Sequence, residues 1–356
     1  MRSLLKIYAL VAVVGGCQGL LGIEDATLRQ SSSGGSSGAG HGGSAGVGAS
    51  TASGGEGVNV GSGGEGGDGL SSRISYKRVT DAFGEMVVGS DGNFWLSLGK
   101  SIRRVTPDWQ VTDFPLPEGF SPEGLALGVD DNVWFARGDR MGRITSAGAI
   151  MEYMMPSNQQ HPRWIASGPD TDLWFIGGST LGKISIGGTL ELFTPPPNSD
   201  LWGIATGDDG TVWLTDQQQN AIVSVAVDGM VVGSWSVPTS NALLGDIASG
   251  PDKNLWFLEG GAHKLGKIVE SGLYRGQITE YALPAGGIPS SLVAGPDGAL
   301  WITLYDSKQL IRSTTSGVIT DVYPLLDEWK YPDSILVGAD GNLWFAAAGN
   351  LVRFEL

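Results

Sequence analysis

GPDGALW, residues 295–301, decides how this chain is read, because the phrase keeps returning. It recurs as GSDGNFW (89–95), GVDDNVW (128–134), GPDTDLW (168–174), GDDGTVW (207–213), GPDKNLW (250–256) and GADGNLW (338–344). The closing tryptophans, Trp95, Trp134, Trp174, Trp213, Trp256, Trp301 and Trp344, are 39, 40, 39, 43, 45 and 43 residues apart. A period near 40 with short apolar runs is the pattern of a four-stranded propeller blade, a unit that buries its faces only against its neighbours. One period shows the parts: IPSSLVAGP, the turn residues DG, ALWITL, a polar loop, QLIRST, the turn TSG and VITDVYPLL. Helix-period patterning is absent. The expected fold class is all-β, a seven-bladed β-propeller of four-stranded antiparallel blades.

Within the phrase, Asp-Gly between two apolar runs predicts a tight hairpin with positive φ angles, the Asp side chain capping nearby amides. The leading Gly lets the end of the inner strand crowd its neighbours. Trp and its apolar neighbours alternate between the faces of the second strand, each packing on an adjacent blade. The phrase is therefore architecture, not a calcium loop. After the seventh phrase only one further strand-like run, NLVRFEL (350–356), remains, so the last blade is one strand short. RISYKRV (73–79) is expected to supply that strand from the N-terminal side and leave the ring without a free edge.

The chain has 356 residues and 57 glycines, 17 of them between Ser31 and Leu70. That stretch lacks the apolar bulk to offset its ordering entropy, so residues 18–70 read as a Gly/Ser-rich tether, with His41 incidental. Ahead of it, Arg2 and Lys6 precede an apolar run, Ile7–Val14, too short to span a bilayer. Val14-Gly15-Gly16-Cys17 resembles a bacterial lipobox, which implies export, a lipid on Cys17 and, with Gln18 after it, an outer-membrane destination. Residues 1–17 are the expected signal, and a plain secretory signal cut nearby is the alternative. Cys17 is the only cysteine, so an exported chain has no internal disulfide to make with it. The net charge is −15; three Lys/Arg and five Asp/Glu in the first 70 residues leave −13 on residues 71–356. That balance excludes nucleic acid as an expected partner and permits a cationic one.

GPDKNLWFLE (250–259), KLGKI (264–268), MGRITSAGAIMEYMMP (141–156) and QITEYALP (277–284) resemble the streptogramin B (virginiamycin B) lyase family over residues 73–356. The resemblance implies a seven-bladed propeller and magnesium-assisted elimination that opens an antibiotic lactone. It further implies a metal-region His at the sixth inner strand, a base His at the seventh and a metal-binding Glu beyond the last repeated Trp. Carried onto this chain, those positions fall on Ser290, Asp333 and Ala348, while a family aromatic falls on Tyr305. Elimination needs a base and a cation to stabilise developing charge. No cofactor is therefore expected, with Mg2+ implied only if a lyase reading holds.

The same register gathers a candidate channel mouth from Glu123, Arg163, Trp202, Asp246, Ser290 and Asp333 at the inner-strand starts. Arg137, Asp216, Glu259 and Tyr305 join it from the second-strand ends. Solvated loop residues with no shared ligand are the alternative. His161 is placed near the mouth and His263 in a loop four residues from Glu259, with no HxH or HxxxH pair. Three functions stay open: an envelope propeller binding a polar small molecule, glycan, peptide or envelope protein; a lyase, conventional or with a relocated site on Asp333, Glu259 or His161; and a tethered scaffold. The first is the expected one, as a monomer in the cell envelope, attached to the membrane through Cys17 or secreted to its periplasmic or extracellular side.

Overall fold

The computed structural model describes residues 59–60, 73–80, 84–156, 161–284 and 286–356. Cys17, His41 and the tether stretch lie outside these residues, Asn59 and Val60 excepted. Six antiparallel sheets of four strands and a seventh of five follow one another along the chain. The first blade runs Met86–Val88, Phe94–Leu98, Ser101–Val105 and Val111–Pro115; the sixth runs Pro289–Ala294, Leu300–Leu304, Gln309–Ser313 and Ile319–Pro324. In the seventh, Asp333–Val337, Leu343–Ala347 and Asn350–Phe354 are completed by Ile74–Arg78, with Tyr76 opposite Val352. The ring closes with the strand expected from the sequence. Asn59–Val60, inside the stretch read as tether, pairs antiparallel with the outer side of that closing strand.

The repeated phrase has a more specific cause than a two-residue hairpin. In the first blade Gly92 N donates to Gly89 O, and Gly89 N to Asn93 O. Gly92 has a φ of 72°. Asp91 is absent from the positive-φ residues, so one left-handed residue, not two, ends the turn. Asp131, Gly210, Lys253, Gly298 and Gly341 repeat this, while Thr171 in the third blade does not. The Asp side chain then takes the indole N–H four residues on. Trp95 Nε1 donates to Asp91 Oδ1 at 3.3 Å, and all six other repeats make the same bond, from Trp134 to Asp130 (3.0 Å) through Trp344 to Asp340 (3.0 Å). A Cβ on Gly89 would lie 2.6 Å from both the Asp91 carboxylate and the Trp95 nitrogen. The leading Gly therefore makes room for its own turn's Asp–Trp pair, not for a neighbouring strand.

Alternation along the second strand locks adjacent blades together, as the phrase predicts. Trp95 packs with Leu125, Val133 and Phe135 of the second blade, whereas Phe94 and Leu96 pack with Trp344 and Leu351 of the seventh. In blades one to six the repeated Trp also stacks with an outer-strand aromatic: Phe114, Tyr153, Phe193, Trp235, Tyr281 or Tyr323. The closing strand has Lys77 at that register. Trp109 takes the aromatic's place from the next blade, 5.1 Å from Trp344, with its carbonyl accepting from Lys77 Nζ at 3.2 Å. To get there Trp109 adopts a φ of 69° in a turn where Gly148, Gly188, Gly229 and Gly317 stand in other blades.

Candidate functional site

The starts of the inner strands converge on a cavity of about 200 Å3 at one end of the channel. Trp164 and Trp202 line one side, Tyr305 with Ser290 and Ser291 another, and Glu85, Asp246 and Asp333 supply its carboxylates. Of the sequence-derived mouth residues, Trp202, Asp246, Ser290, Tyr305 and Asp333 come together here. Glu123 and Arg163 pair with each other at 2.9 Å, and the Arg163 guanidinium lies 5.9 Å from the Trp202 ring centre.

Arg137, Asp216 and Glu259 do not reach the mouth, which corrects the expectation for them. Each lies three residues after its Trp, so strand alternation turns it to the opposite face of the second strand, into protein. Arg137 is buried, donating to Phe120 O, Pro117 O and Glu152 Oε1. Asp216 accepts from Asp200 N and Gln219 N. Glu259 is wholly buried and its oxygens have no hydrogen-bond donor among the described residues. Burial, then the nearby Glu280 carboxylate, pushes its pKa up to about 7. The last blade's residue at this register is Ala347, the end of its second strand; Ala348 is the next residue, in the turn, with a φ of 46°. Neither is a carboxylate. His161 packs on Phe120, ring centres 4.9 Å apart, and His263 Nδ1 lies 2.7 Å from Gly287 O. Neither lines the cavity.

Glu85 is the mouth residue that sequence reading missed. It stands four positions before Gly89, as Asp246 does before Gly250, whereas Trp202, Ser290 and Asp333 stand five before their glycines. Register shifts between Leu201 and Ile204, Leu244 and Ile247, Pro289 and Ser291, and Asp333 and Leu336 break the alternation at the inner-strand starts. Two residues per strand then reach the channel, such as Ser290 with Ser291.

The two positions have different work. Asp246 accepts from Ser291 Oγ (3.2 Å) and Leu292 N (3.0 Å), which ties the fifth inner strand to the sixth. Ser291 Oγ also accepts from Ile335 N of the seventh, and Ser334 Oγ donates to Glu85 Oε2 at 2.9 Å, carrying the chain into the first. Asp333, in contrast, takes a single donor among the described residues, Ser334 N at 2.8 Å, and is exposed where it lines the cavity. Burial raises the pKa of Glu85 to about 8, with the Asp333 and Asp246 charges adding to it. Burial likewise raises Asp246 to about 6, opposed by the Leu292 and Ser291 bonds, and raises Asp333. Tyr305 is pushed up by burial and then by Asp333, and its ring stacks on Tyr331 at 4.6 Å.

The magnesium that the family resemblance implies does not fit these residues. Among the described residues no three His, Cys, Asp or Glu side chains are placed to hold one metal ion. The positions expected to serve it carry Ser290, whose hydroxyl donates to Pro332 O at 2.7 Å, and alanine.

A family model described as the virginiamycin B lyase family matches residues 71–231 and 191–353. The structure of virginiamycin B lyase from Staphylococcus aureus aligns with a TM-score of 0.72 at 27% identity, over 80% of this chain and 99% of that one. A structure of a catalytically inactive histidine-to-alanine variant of that enzyme with quinupristin gives the same values. Virginiamycin B lyase of Nocardia farcinica is 35% identical over 98 residues, 27% of this chain and 33% of that protein. The match thus spans about a third of the curated relative's length. The WD40 propeller domain of Doa1, at 13% identity and a TM-score of 0.64, shares the fold alone.

Proposed function

The chain belongs to the virginiamycin B lyase family, and from that premise we propose that it is an exported, lipid-anchored envelope propeller whose channel mouth binds a polar ligand without lactone-opening chemistry. The observation that carries this reading is the replacement of the expected base and metal ligands by Ser290, Asp333 and alanine. An elimination catalyst must remove a proton and stabilise the charge left behind. Asp333 is a weak base even with its raised pKa, and among the described residues no Lys, Arg or metal-holding cluster lines the cavity beside it. What remains is a small recess with aromatic walls and a few convergent polar groups, the usual composition of a ligand site. The Cys17 anchor and the tether support a surface-tethered binder that explores its surroundings from a fixed point.

Two measurements test the reading. Purified protein incubated with quinupristin and Mg2+ and followed by chromatography should yield no opened product above the protein-free control. Product formation sinks the non-catalytic reading in favour of a lyase site relocated onto Asp333. Cys17→Ser should move the protein from the membrane to the soluble fraction of expressing cells; unchanged membrane association removes the anchor.

A further inference from the structure

The mouth holds negative charge that the protein leaves without a counter-ion. Glu85, Asp246 and Asp333 arrive from the first, fifth and seventh blades and act on one another electrostatically. No Lys or Arg lines the cavity, and none of the three carboxylates forms an ion pair among the described residues. Arg163, the cation beside Trp202, is already held by Glu123. Carboxylates drawn out of bulk water are ordinarily paired, hydrogen-bonded or neutralised by a proton, and here Glu85 and Asp246 are half-buried while Asp333 is exposed at the channel. Asp246 is well supplied with donors, but Asp333, which lines the cavity, has one among the described residues.

We propose, building on the ligand-binding reading of the mouth, that its ligand is an organic ammonium ion, whose charged head sits among Asp333, Glu85 and Asp246 and whose carbon substituents lie against Trp202, Trp164 and Tyr305. Among the described residues no three carboxylates are placed to hold one metal ion, whereas an ammonium head needs no set of shared ligands at metal distance. An ammonium group spreads its charge over attached carbons and is satisfied by carboxylates on several sides with aromatic faces between them. Trp202 already takes one cation, Arg163, at its ring, and the Tyr305–Tyr331 stack offers another aromatic wall. The volume of about 200 Å3 lies below the roughly 300–1,000 Å3 of sites for drug-sized ligands, so a head group enters, not a whole macrocycle. The excess of acidic residues over residues 71–356 also attracts a cation towards the surface.

Binding is linked to protons. An ammonium ion favours the ionised carboxylates, so it lowers the raised pKa values of Glu85, Asp246 and Asp333 and releases protons as it enters. Tyr305, the Tyr331 stacked on it and the Glu123–Arg163 pair are the other charged and titratable groups beside the recess, and none adds a free cation. Affinity should therefore rise between pH 6 and pH 8.

Isothermal titration calorimetry on the full chain tests this with choline, cadaverine, the neutral choline isostere 3,3-dimethyl-1-butanol and magnesium chloride. At least one of the two ammonium probes should bind, with the neutral isostere and Mg2+ at least tenfold weaker. Asp333→Asn should weaken binding by roughly tenfold to a hundredfold, while its ligand-free melting temperature equals or exceeds that of the wild type because a like charge has gone. Tyr305→Ala should weaken it by roughly twofold to thirtyfold. No heat with either ammonium probe, equal affinity for the neutral alcohol or for Mg2+, or unchanged affinity in Asp333→Asn overturns the ligand class. Those results leave the non-catalytic reading standing, since that one falls only on lactone opening.

Discussion

Asp340→Ala tests whether the Asp–Trp bond, not the turn alone, holds a blade. Asp340 Oδ1 accepts from Trp344 Nε1 at 3.0 Å, and Asp340 Oδ2 from Arg353 Nε at 2.6 Å. The Trp344 side chain is 1% exposed, so losing its acceptor leaves an indole N–H buried, at about 1–3 kcal/mol. The Arg353 pair is about a quarter exposed on both sides and adds less than about 1 kcal/mol. The total comes to about 1–4 kcal/mol, centred near 2.5 kcal/mol. An unfolding entropy near 2.1 cal/mol/K per residue over roughly 280 residues converts this to a fall of about 4 °C in melting temperature. Calorimetric melting at pH 7 measures it. Asp340→Asn keeps an acceptor for Trp344 and loses only the charge, so its melting point should fall by no more than about 2 °C. The carboxylate pKa is depressed to about 2, through the bonds from Arg353, Trp344 and Asn342 that outweigh its burial. Its charge-dependent stability is therefore present above the unfolded value of about 4 and lost as pH falls through about 2. Near pH 2 the wild type should melt like Asp340→Asn. An alanine variant within about 1 °C of wild type at pH 7, or an asparagine variant as damaged as the alanine one, refutes the reasoning.

Two further perturbations probe the closure and the mouth. Trp109→Gly should cost about 2–4 kcal/mol, the loss of a buried ring offset in part by relief of its left-handed backbone; adding Lys77→Tyr should recover at least half of the lost melting temperature, and a double variant no better than the single shows that Trp109 is not the missing aromatic. Glu85→Gln should match wild type near pH 4 and melt higher at pH 9. An acid whose folded pKa is about 8 is penalised progressively as pH rises from its unfolded value of about 4. Channel water moderates that penalty to roughly 2 kcal/mol, about 3 °C. Coincident melting curves at pH 9 rule out an uncompensated charge at Glu85.

The blades were legible in the sequence because a period near 40 records a packing unit, and the short closing blade announced its missing strand. The turn was legible in outline only. Asp-Gly signals a hairpin, but the indole bond behind the Asp depends on a side chain four residues away, which turn propensity does not consider. The mouth was half legible. Strand alternation correctly brought Trp202, Ser290 and Asp333 to the channel, then failed at the start of the first inner strand, where Gly84 and Glu85 both bond Ser97, which hid Glu85. Arg137, Asp216 and Glu259 were misplaced for the converse reason: alternation holds firmly in the second strands and points them into protein. Lys77 and Trp109 could have been paired from the sequence, since one breaks the aromatic column and the other breaks the glycine column.

The positions that make the ring and those that make the site occupy opposite ends of the same strands. The Gly-x-Asp-x-x-x-Trp bonds close the turn after each inner strand, five residues and roughly 16 Å of strand from the mouth. A change at Ser290 or Asp333 therefore breaks none of the seven Asp–Trp bonds, and the propeller tolerates it. Asp246, Ser291, Ser334 and Glu85 are different, because their bonds join neighbouring inner strands across the channel. Family likeness measured over whole blades is dominated by the first kind of position and hardly samples the open ones. Blades can accordingly stay close to those of a lyase while the mouth differs. Under the reading proposed above, the open positions, carboxylates between aromatic rings, are the ones that set what the mouth recognises.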